Sequence, residues 1–197
     1  MLILASASPR RRELLTLAGL SFTVEPAHIP EELQPDEPPA VFVQRLALEK
    51  AHAVWKGRQS DDTAADPLYV IGADTTVMCN GEVLGKPADV ADARRMLTLL
   101  SGRTHQVLTG VAIVGRNGTV SDVEITQVYF DLISESEMNH YLNTGEPLDK
   151  AGAYGIQGYA ARWIPKIEGC YFNVVGLPLS RTIALLAEAS EAPRSKK

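Results

Sequence analysis

The residues best suited to chemistry lie near the start of the chain, in Ser6-Ala7-Ser8-Pro9-Arg10-Arg11-Arg12. The apolar run Met1-Leu2-Ile3-Leu4-Ala5 before them predicts a short buried strand. Ser8 followed by Pro9 is typical of an N-cap and a first helical residue. Backbone N–H groups, hydroxyls and guanidinium groups would then meet at one turn, which suits a phosphate chain. The alternative is a capped surface helix with a solvated basic first turn. Arginines there oppose the helix dipole at a cost of up to about 1 kcal/mol, which favours the anion site.

Two places in the sequence offer carboxylates for catalysis. The run Leu68-Tyr69-Val70-Ile71 is a strong signal for a buried strand and continues into Gly72-Ala73-Asp74-Thr75. Catalytic groups of α/β folds lie at the carboxyl ends of core strands, so Asp74 is one candidate. An aspartate that caps a helix or turn is the alternative. The second place is the proline-rich loop 26–39, where Glu31 and Glu32 are adjacent.

Two lysines are candidates for binding anions. Lys50 falls on or beside the apolar face of a helix predicted from about Pro39 to Lys56. It either snorkels to solvent or points into a cleft. Lys86 follows a hairpin predicted over residues 77–84 through an Asn-Gly turn, and an ordinary surface lysine is the alternative there.

A glycine-rich segment later in the chain carries further polar candidates. Residues 146–158 contain three glycines together with Asp149, Lys150 and Gln157, and show no regular periodicity. Glycines allow a backbone to approach a ligand closely, although their spacing alone is weak support for a site.

The remaining pattern predicts strands and helices in alternation. Strands are expected at residues 22–25, 104–114, 119–132, 162–167 and 171–175, and helices near 89–101, 134–144 and 177–189. Residues 190–197 are expected to form a flexible tail.

Composition limits the class of protein. A chain of 197 residues with 45% hydrophobic and 22% charged residues suits one soluble domain or two closely joined lobes. A net charge of -5 argues against broad binding to nucleic acid or to anionic membranes. No apolar run is long enough to span a membrane, and the first residues lack the features of a signal peptide. We therefore expect a cytoplasmic protein without nucleic-acid or membrane partners, in which Cys79 and Cys170 are free thiols.

Five motifs, in this order, resemble those of the Maf family of nucleoside triphosphate pyrophosphatases. They are Ser6-Ala7-Ser8-Pro9-Arg10-Arg11, Gly72-Ala73-Asp74-Thr75, Gly85-Lys86-Pro87, Leu99-Leu100-Ser101-Gly102 and Asp149-Lys150-Ala151-Gly152-Ala153-Tyr154-Gly155-Ile156-Gln157-Gly158. The resemblance implies a mixed α/β fold like that of inosine triphosphatases (Maf/Ham1). This fold has a curved mixed sheet with flanking helices and two lobes around a cleft, here in a single domain over residues 1–189.

The resemblance also implies an activity and a substrate. The family cleaves a nucleoside triphosphate between its α- and β-phosphates, with the motif aspartate, here Asp74, as proton acceptor. Arg10, Thr75 and Gln157 match the branch that acts on dTTP and UTP. Where the family has a pair of acidic residues, this chain has Pro30-Glu31-Glu32. Glu31 is favoured as the functional acid, and Glu32 is the alternative.

These residues divide into charge-stabilising, acidic and base-reading groups. Lys50 and Lys86 would stabilise charge on the triphosphate. Asp74 and Glu31 would hold Mg²⁺, Mn²⁺ or Co²⁺, or accept a proton. The expected substrate contacts are completed by Ser8, Arg10, Arg11, Thr75, Asp149, Lys150 and Gln157.

The Gln157 amide offers an acceptor and a donor that match N3–H and O4 of uracil or thymine. Because an amide can flip, that match alone does not exclude cytosine. A homodimer is a further expectation from the resemblance. Two other functions remain open: a pyrophosphatase for modified purine triphosphates such as 7-methyl-GTP, and a nucleotide-binding regulator of septum formation.

Overall fold

The computed structural model describes residues 1–63 and 66–191. Its strands are β1 (Leu2–Leu4), β2 (Thr23–Val24), β3 (Tyr69–Cys79), β4 (Glu82–Leu84), β5 (Thr104–Gly115), β6 (Gly118–Tyr129) and β7 (Lys166–Glu168). Its α-helices are α1 (Pro9–Leu17), α2 (Pro39–Arg58), α3 (Val90–Leu100), α4 (Glu135–Asn143), α5 (Tyr171–Val175) and α6 (Leu179–Glu191). Short 3-10 turns cover Gln59–Asp61, Glu146–Asp149, Ala151–Ala153 and Tyr159–Trp163.

The strands form a mixed sheet in the order β2-β1-β3-β5-β6-β7, with β4 paired to β3. Strand β1 runs parallel to both β2 and β3, whereas β3 pairs with β4, and β6 with β7, in the antiparallel sense. The mixed α/β class predicted from the sequence is therefore confirmed.

The chain divides into two compact units. The first consists of Met1–Asp74, Thr109–Glu124 and the described residues from Gly176 onward, and the second of Thr75–Leu108 and Ile125–Val175. Strands β3, β5 and β6 contribute residues to both units. The single domain, the sheet curvature and the cleft between lobes that the resemblance implies stay predictions.

Each unit has its own apolar core. The core of the first unit is made by Ile3, Ala5, Ala47, Ala51, Val54, Leu68, Val70, Ala112 and Val114. In the second unit α3, α4 and β4 pack with aromatic side chains, among them Phe130, Tyr141, Tyr154 and Trp163. Among the described residues, no helix has the length and apolar character needed to cross a bilayer. Cys79 and Cys170 are free thiols, as predicted.

In the first unit, helix α2 lies directly against β3 because Gly72 has no side chain. A Cβ at Gly72 would lie 2.0 Å from the carbonyl oxygen of Ala47 and 2.8 Å from the amide nitrogen of Ala51. Alternate residues of a strand point to the same face, so Asp74 points to the face on which α2 packs. This close approach brings Lys50, which precedes Ala51, beside Asp74.

Two strands predicted near the end of the second unit are wrong in whole or in part. Residues 162–167 form the end of a 3-10 turn and only the short β7, and Tyr171–Val175 is helix α5 rather than a strand. The aromatic and β-branched side chains of this segment favour a strand locally, but tertiary contacts decide. The buried Asn173 side chain donates to the Val107 carbonyl at 3.0 Å and to Thr126 Oγ1 at 2.9 Å.

The predicted tail begins too early, since α6 extends to Glu191. The rest of the predicted tail, residues 192–197, lies outside the described residues, as do residues 64 and 65.

We expect Gly72→Ala to destabilise the first unit. The new methyl group would overlap the backbone of α2, and overpacking of this kind costs about 1–3 kcal/mol or more. Urea unfolding followed by circular dichroism should show a lower midpoint. The control is Gly57→Ala in helix α2, where a Cβ meets no heavy atom within 4 Å. The free energy of unfolding of this control should rise by about 0.5–1 kcal/mol, because alanine favours a helix more than glycine does. A Gly72→Ala chain with the wild-type midpoint would contradict the close approach.

Candidate active site

The turn between β1 and α1 forms as predicted. Ser8 caps the helix by accepting a hydrogen bond from the Arg11 amide at 3.4 Å, and Pro9 is the first helical residue. The Ser8 hydroxyl therefore fixes the first turn, and its contact with substrate stays a prediction. Arg10 is half-buried, and Arg12 is exposed.

Arg11 is buried and holds together three parts of the first unit. Its Nε donates to the Gly176 carbonyl at 2.9 Å, and its Nη1 donates to Ser6 Oγ at 3.1 Å and to the Ala73 carbonyl at 2.9 Å. Burial lowers the pKa of Arg11 below its ordinary value, and the charge of Asp74 opposes this shift. These bonds fix the backbone next to Asp74, and a contact of Arg11 with substrate stays a prediction.

Three charged side chains meet in the first unit. Lys50 Nζ lies 2.7 Å from Asp74 Oδ1 and 2.6 Å from Glu31 Oε1. Lys50 is 6% exposed and Asp74 7%, whereas half of the Glu31 side chain is open to solvent. The lysine ammonium therefore points at two carboxylates and does not snorkel to the surface.

The surroundings of Asp74 make it a stronger base than a solvated aspartate. Burial raises the pKa of its carboxyl above 3.8, and the charges of Lys50 and Arg11 limit the rise. The nearby charge of Glu31 adds to it. General acid–base catalysis favours a group whose pKa has moved toward the working pH while its charged form remains accessible.

The structure separates the two acidic candidates of the loop. Glu31 contacts Lys50, while Glu32 is exposed and its backbone carbonyl accepts a hydrogen bond from Arg45. Glu31 is thus the residue that the geometry brings to Asp74. Arg45 was not singled out from the sequence, because its loop partners Glu37 and Glu32 follow no periodic pattern or motif.

The remaining candidates belong to the second unit. Thr75 is half-buried next to Asp74 in β3, and Lys86 and Gln157 are exposed. The Gly152 amide donates to the Gly85 carbonyl at 3.0 Å, which links the segment of Lys86 to the glycine-rich segment. Their proposed roles stay predictions.

Within the glycine-rich segment, Lys150 is paired locally. Its Nζ donates to Asp149 Oδ1 and to the Glu146 carbonyl, both at 2.6 Å. A Cβ at position 158 would lie 2.0 Å from Glu146 Oε1, so a larger residue there would displace the Glu146 carboxylate. Glu146 also accepts a hydrogen bond from the Tyr141 hydroxyl at 3.2 Å. The Glu146 carboxylate thus lies against Gly158 and links this segment to Tyr141 on α4.

A buried histidine anchors the same segment. His105 Nε2 lies 2.8 Å from the Tyr154 hydroxyl, and both side chains make edge contacts with Phe130. Burial lowers the pKa of His105 to about 4, so the ring is neutral at neutral pH. No periodicity or motif indicates the contact between His105 and Tyr154.

Asp74 and Glu31 can supply two of the oxygen ligands that a hard divalent cation such as Mg²⁺ requires. No group of three or more His, Cys, Asp or Glu side chains arranged for a metal occurs in the described part of the chain. Asp74 and Glu31 nevertheless share one cationic partner, Lys50. Magnesium is usually held by one or two carboxylates together with substrate phosphates and water, so this pair of oxygen donors suits it.

Comparison with known proteins agrees with these features. The family model described as "Maf-like protein" matches residues 1–189. A protein of Koribacter versatilis (strain Ellin345) named dTTP/UTP pyrophosphatase is 52% identical over 188 residues, covering 95% of this chain and 94% of its own. Proteins of the same name from Moorella thermoacetica and Geobacillus sp. (strain WCH70) are 53% and 52% identical, over 94% and 92% of this chain and 93% and 94% of their own. The chain belongs to the Maf family.

Proposed function

We propose that this chain is a nucleoside triphosphate pyrophosphatase that hydrolyses dTTP and UTP to the nucleoside monophosphate and pyrophosphate. The relatives named dTTP/UTP pyrophosphatase match it over more than nine-tenths of its length. The observation that carries the proposal is the buried Asp74, ion-paired with Lys50 and raised in pKa by burial.

In this mechanism Asp74 is the general base. It accepts a proton from water as the water oxygen attacks the α-phosphorus. The bond from the α-phosphorus to the bridging oxygen breaks, and its electron pair leaves with pyrophosphate. Lys50 already bonds Asp74 Oδ1, so we expect Oδ2 to take the proton.

Positive groups would stabilise the charge that moves onto the leaving pyrophosphate. The chain carries a net charge of -5, so it must concentrate positive charge locally to hold a triphosphate. Arg10, in the first turn of α1, and Lys86 are the cations that we assign to this task, together with the backbone N–H groups of that turn.

We further propose that Asp74 and Glu31 hold a divalent cation, with Mg²⁺, Mn²⁺ and Co²⁺ as candidates. When bound, the cation would supply positive charge against the phosphate oxygens. Cytoplasmic location and homodimer formation also belong to this proposal. The oligomer can be measured by size-exclusion chromatography with light scattering.

We assign recognition of the base to Gln157, together with Arg10 and Thr75. The exposed Gln157 amide can accept from N3–H and donate to O4 of a pyrimidine. Pyrophosphate release measured over all nucleoside triphosphates, including 7-methyl-GTP, separates this substrate class from modified purines. Activity on 7-methyl-GTP without activity on dTTP and UTP would contradict the proposal.

We expect Asp74→Asn to abolish most turnover while leaving nucleotide binding largely intact. Loss of a general base typically slows a reaction by about 10²–10⁴-fold. Pyrophosphate release from dTTP gives the rate, and isothermal titration calorimetry with a non-hydrolysable analogue gives the affinity. Asp61→Asn, at an exposed carboxylate of the first unit, is the control and should retain wild-type turnover. An Asp74→Asn rate within a few fold of wild type would rule out the assigned role.

Gln157→Glu should change the choice of base without removing phosphate binding. An ionised glutamate can only accept hydrogen bonds, so it repels O4 of uracil and thymine. Because a bidentate base contact is worth roughly 1–3 kcal/mol, kcat/KM for UTP and dTTP should fall about tenfold to a hundredfold. We would measure UTP, dTTP, CTP and GTP in parallel, with Gln59→Glu, an exposed glutamine of the first unit, as control. Equal relative rates in variant and wild type would show that Gln157 does not read the base.

A further inference from the structure

Arg45, on helix α2, binds the loop that carries Glu31. Its Nε and Nη2 donate to the two carboxylate oxygens of Glu37, each at 2.7 Å. Nη2 also donates to the Glu32 carbonyl at 3.0 Å, and Nη1 donates to the Glu49 carboxylate at 3.2 and 3.4 Å. One guanidinium thus joins the loop to the helix at two points.

The geometry of this contact is that of a strong, oriented interaction. Arginine and a carboxylate form two parallel N–H···O bonds in a planar fork, which fixes direction as well as distance. The Glu37 side chain is only 6% exposed, so water competes little for the pair. The hydrogen bond from Arg45 holds the pKa of Glu37 below its usual range, and Glu37 remains ionised at neutral pH.

The loop is held by individual contacts rather than by secondary structure. Besides the Arg45 bonds, the Glu37 amide donates to the Gln34 carbonyl at 3.1 Å, and Ala27 packs against the core. Residues 26–38 contain no helix or strand. Its prolines have no N–H to donate to a backbone partner. The Arg45 bond to the Glu32 carbonyl falls immediately beside Glu31, whose half-exposed carboxylate lies 2.6 Å from Lys50.

We propose that Arg45 is a positioning residue for the reaction: it holds loop 26–38 so that the Glu31 carboxylate stays against Lys50 and Asp74. Helix α2 carries both Arg45 and Lys50. One helix therefore positions both the loop and Lys50, the ion-pair partner of the general base Asp74. This inference rests on the proposed function, because its catalytic consequence requires Glu31 to act in pyrophosphate release.

A double-mutant cycle tests whether Arg45 acts through Glu31. Arg45→Gln, Glu31→Gln and the double variant are compared for kcat and KM in pyrophosphate release from dTTP with Mg²⁺. A small misplacement of an active-site group can cost up to about 10²-fold, so Arg45→Gln should lower kcat roughly 10–100-fold with little change in KM. The double variant should be no slower than Glu31→Gln alone. The proposal would be overturned if the kcat loss of the double variant equalled the product of the two single losses. It would also be overturned if Arg45→Gln were slow while Glu31→Gln kept the wild-type kcat.

Hydrogen–deuterium exchange tests the positioning without relying on activity. Arg45→Gln should speed exchange of the backbone amides between residues 27 and 37, and Arg45→Lys, which keeps the charge but loses the fork, should do so less. Arg95→Gln is the matched control, since Arg95 pairs with Glu82 and Asp92 on the surface of the second unit. Unchanged exchange in the loop of Arg45→Gln would overturn the proposal.

The two experiments separate failure of this inference from failure of the proposed function. A wild-type chain that releases no pyrophosphate from dTTP or UTP would overturn the proposed function and the catalytic consequence of Arg45. The exchange experiment would then still measure whether Arg45 holds the loop.

Discussion

The buried ion pair between Lys50 and Asp74 is the interaction on which the rest of the site depends. Charges removed from water are stable only when they are paired, and deleting one partner of a buried pair costs about 3–5 kcal/mol. Burial outweighs the effect of Lys50 and Arg11 and raises the pKa of Asp74 above its ordinary 3.8. Ionising Asp74 therefore costs folding free energy. The cost grows as the pH rises from 3.8 through the pKa in the folded chain, and it is constant above that pKa. A reactive carboxylate is thus maintained at the expense of stability.

Contacts from helices α1 and α2 hold Asp74 and the loop of the second carboxylate in the first unit. The absence of a side chain at Gly72 lets helix α2 approach β3 and present Lys50. Arg11, on α1, donates to the carbonyl of Ala73, the residue before Asp74. From α2, Arg45 holds the loop of the second carboxylate. Each contact restrains backbone, and a restrained backbone is what keeps a small catalytic side chain in one orientation.

Local signals in the sequence predicted most of the helices and strands. The features that these signals missed depend on tertiary contacts between residues that are not close neighbours in the chain. The hairpin through Asn80-Gly81 and the capped helices form as predicted, because each is specified by residues a few positions apart. Tyr171–Val175 is helical against its local preference for a strand, and within it the Asn173 side chain donates to Val107 and Thr126, which are remote in the chain. A motif drew attention to Asp74 and helical spacing to Lys50. Neither singled out Arg45, whose loop partners Glu37 and Glu32 follow no periodicity or motif.

The most direct test of this account is the pKa of the Asp74 carboxyl, measured by ¹³C NMR titration in the wild type and in Lys50→Met. The wild-type pKa should lie above 3.8, and the variant pKa should lie higher still. Loss of an adjacent opposite charge typically moves a carboxyl by about 1–3 units. Lys56→Met, an exposed position on the same helix, should leave the value unchanged. An Asp74 pKa at or below 3.8, or one that is equal in the wild type and Lys50→Met, would contradict the account.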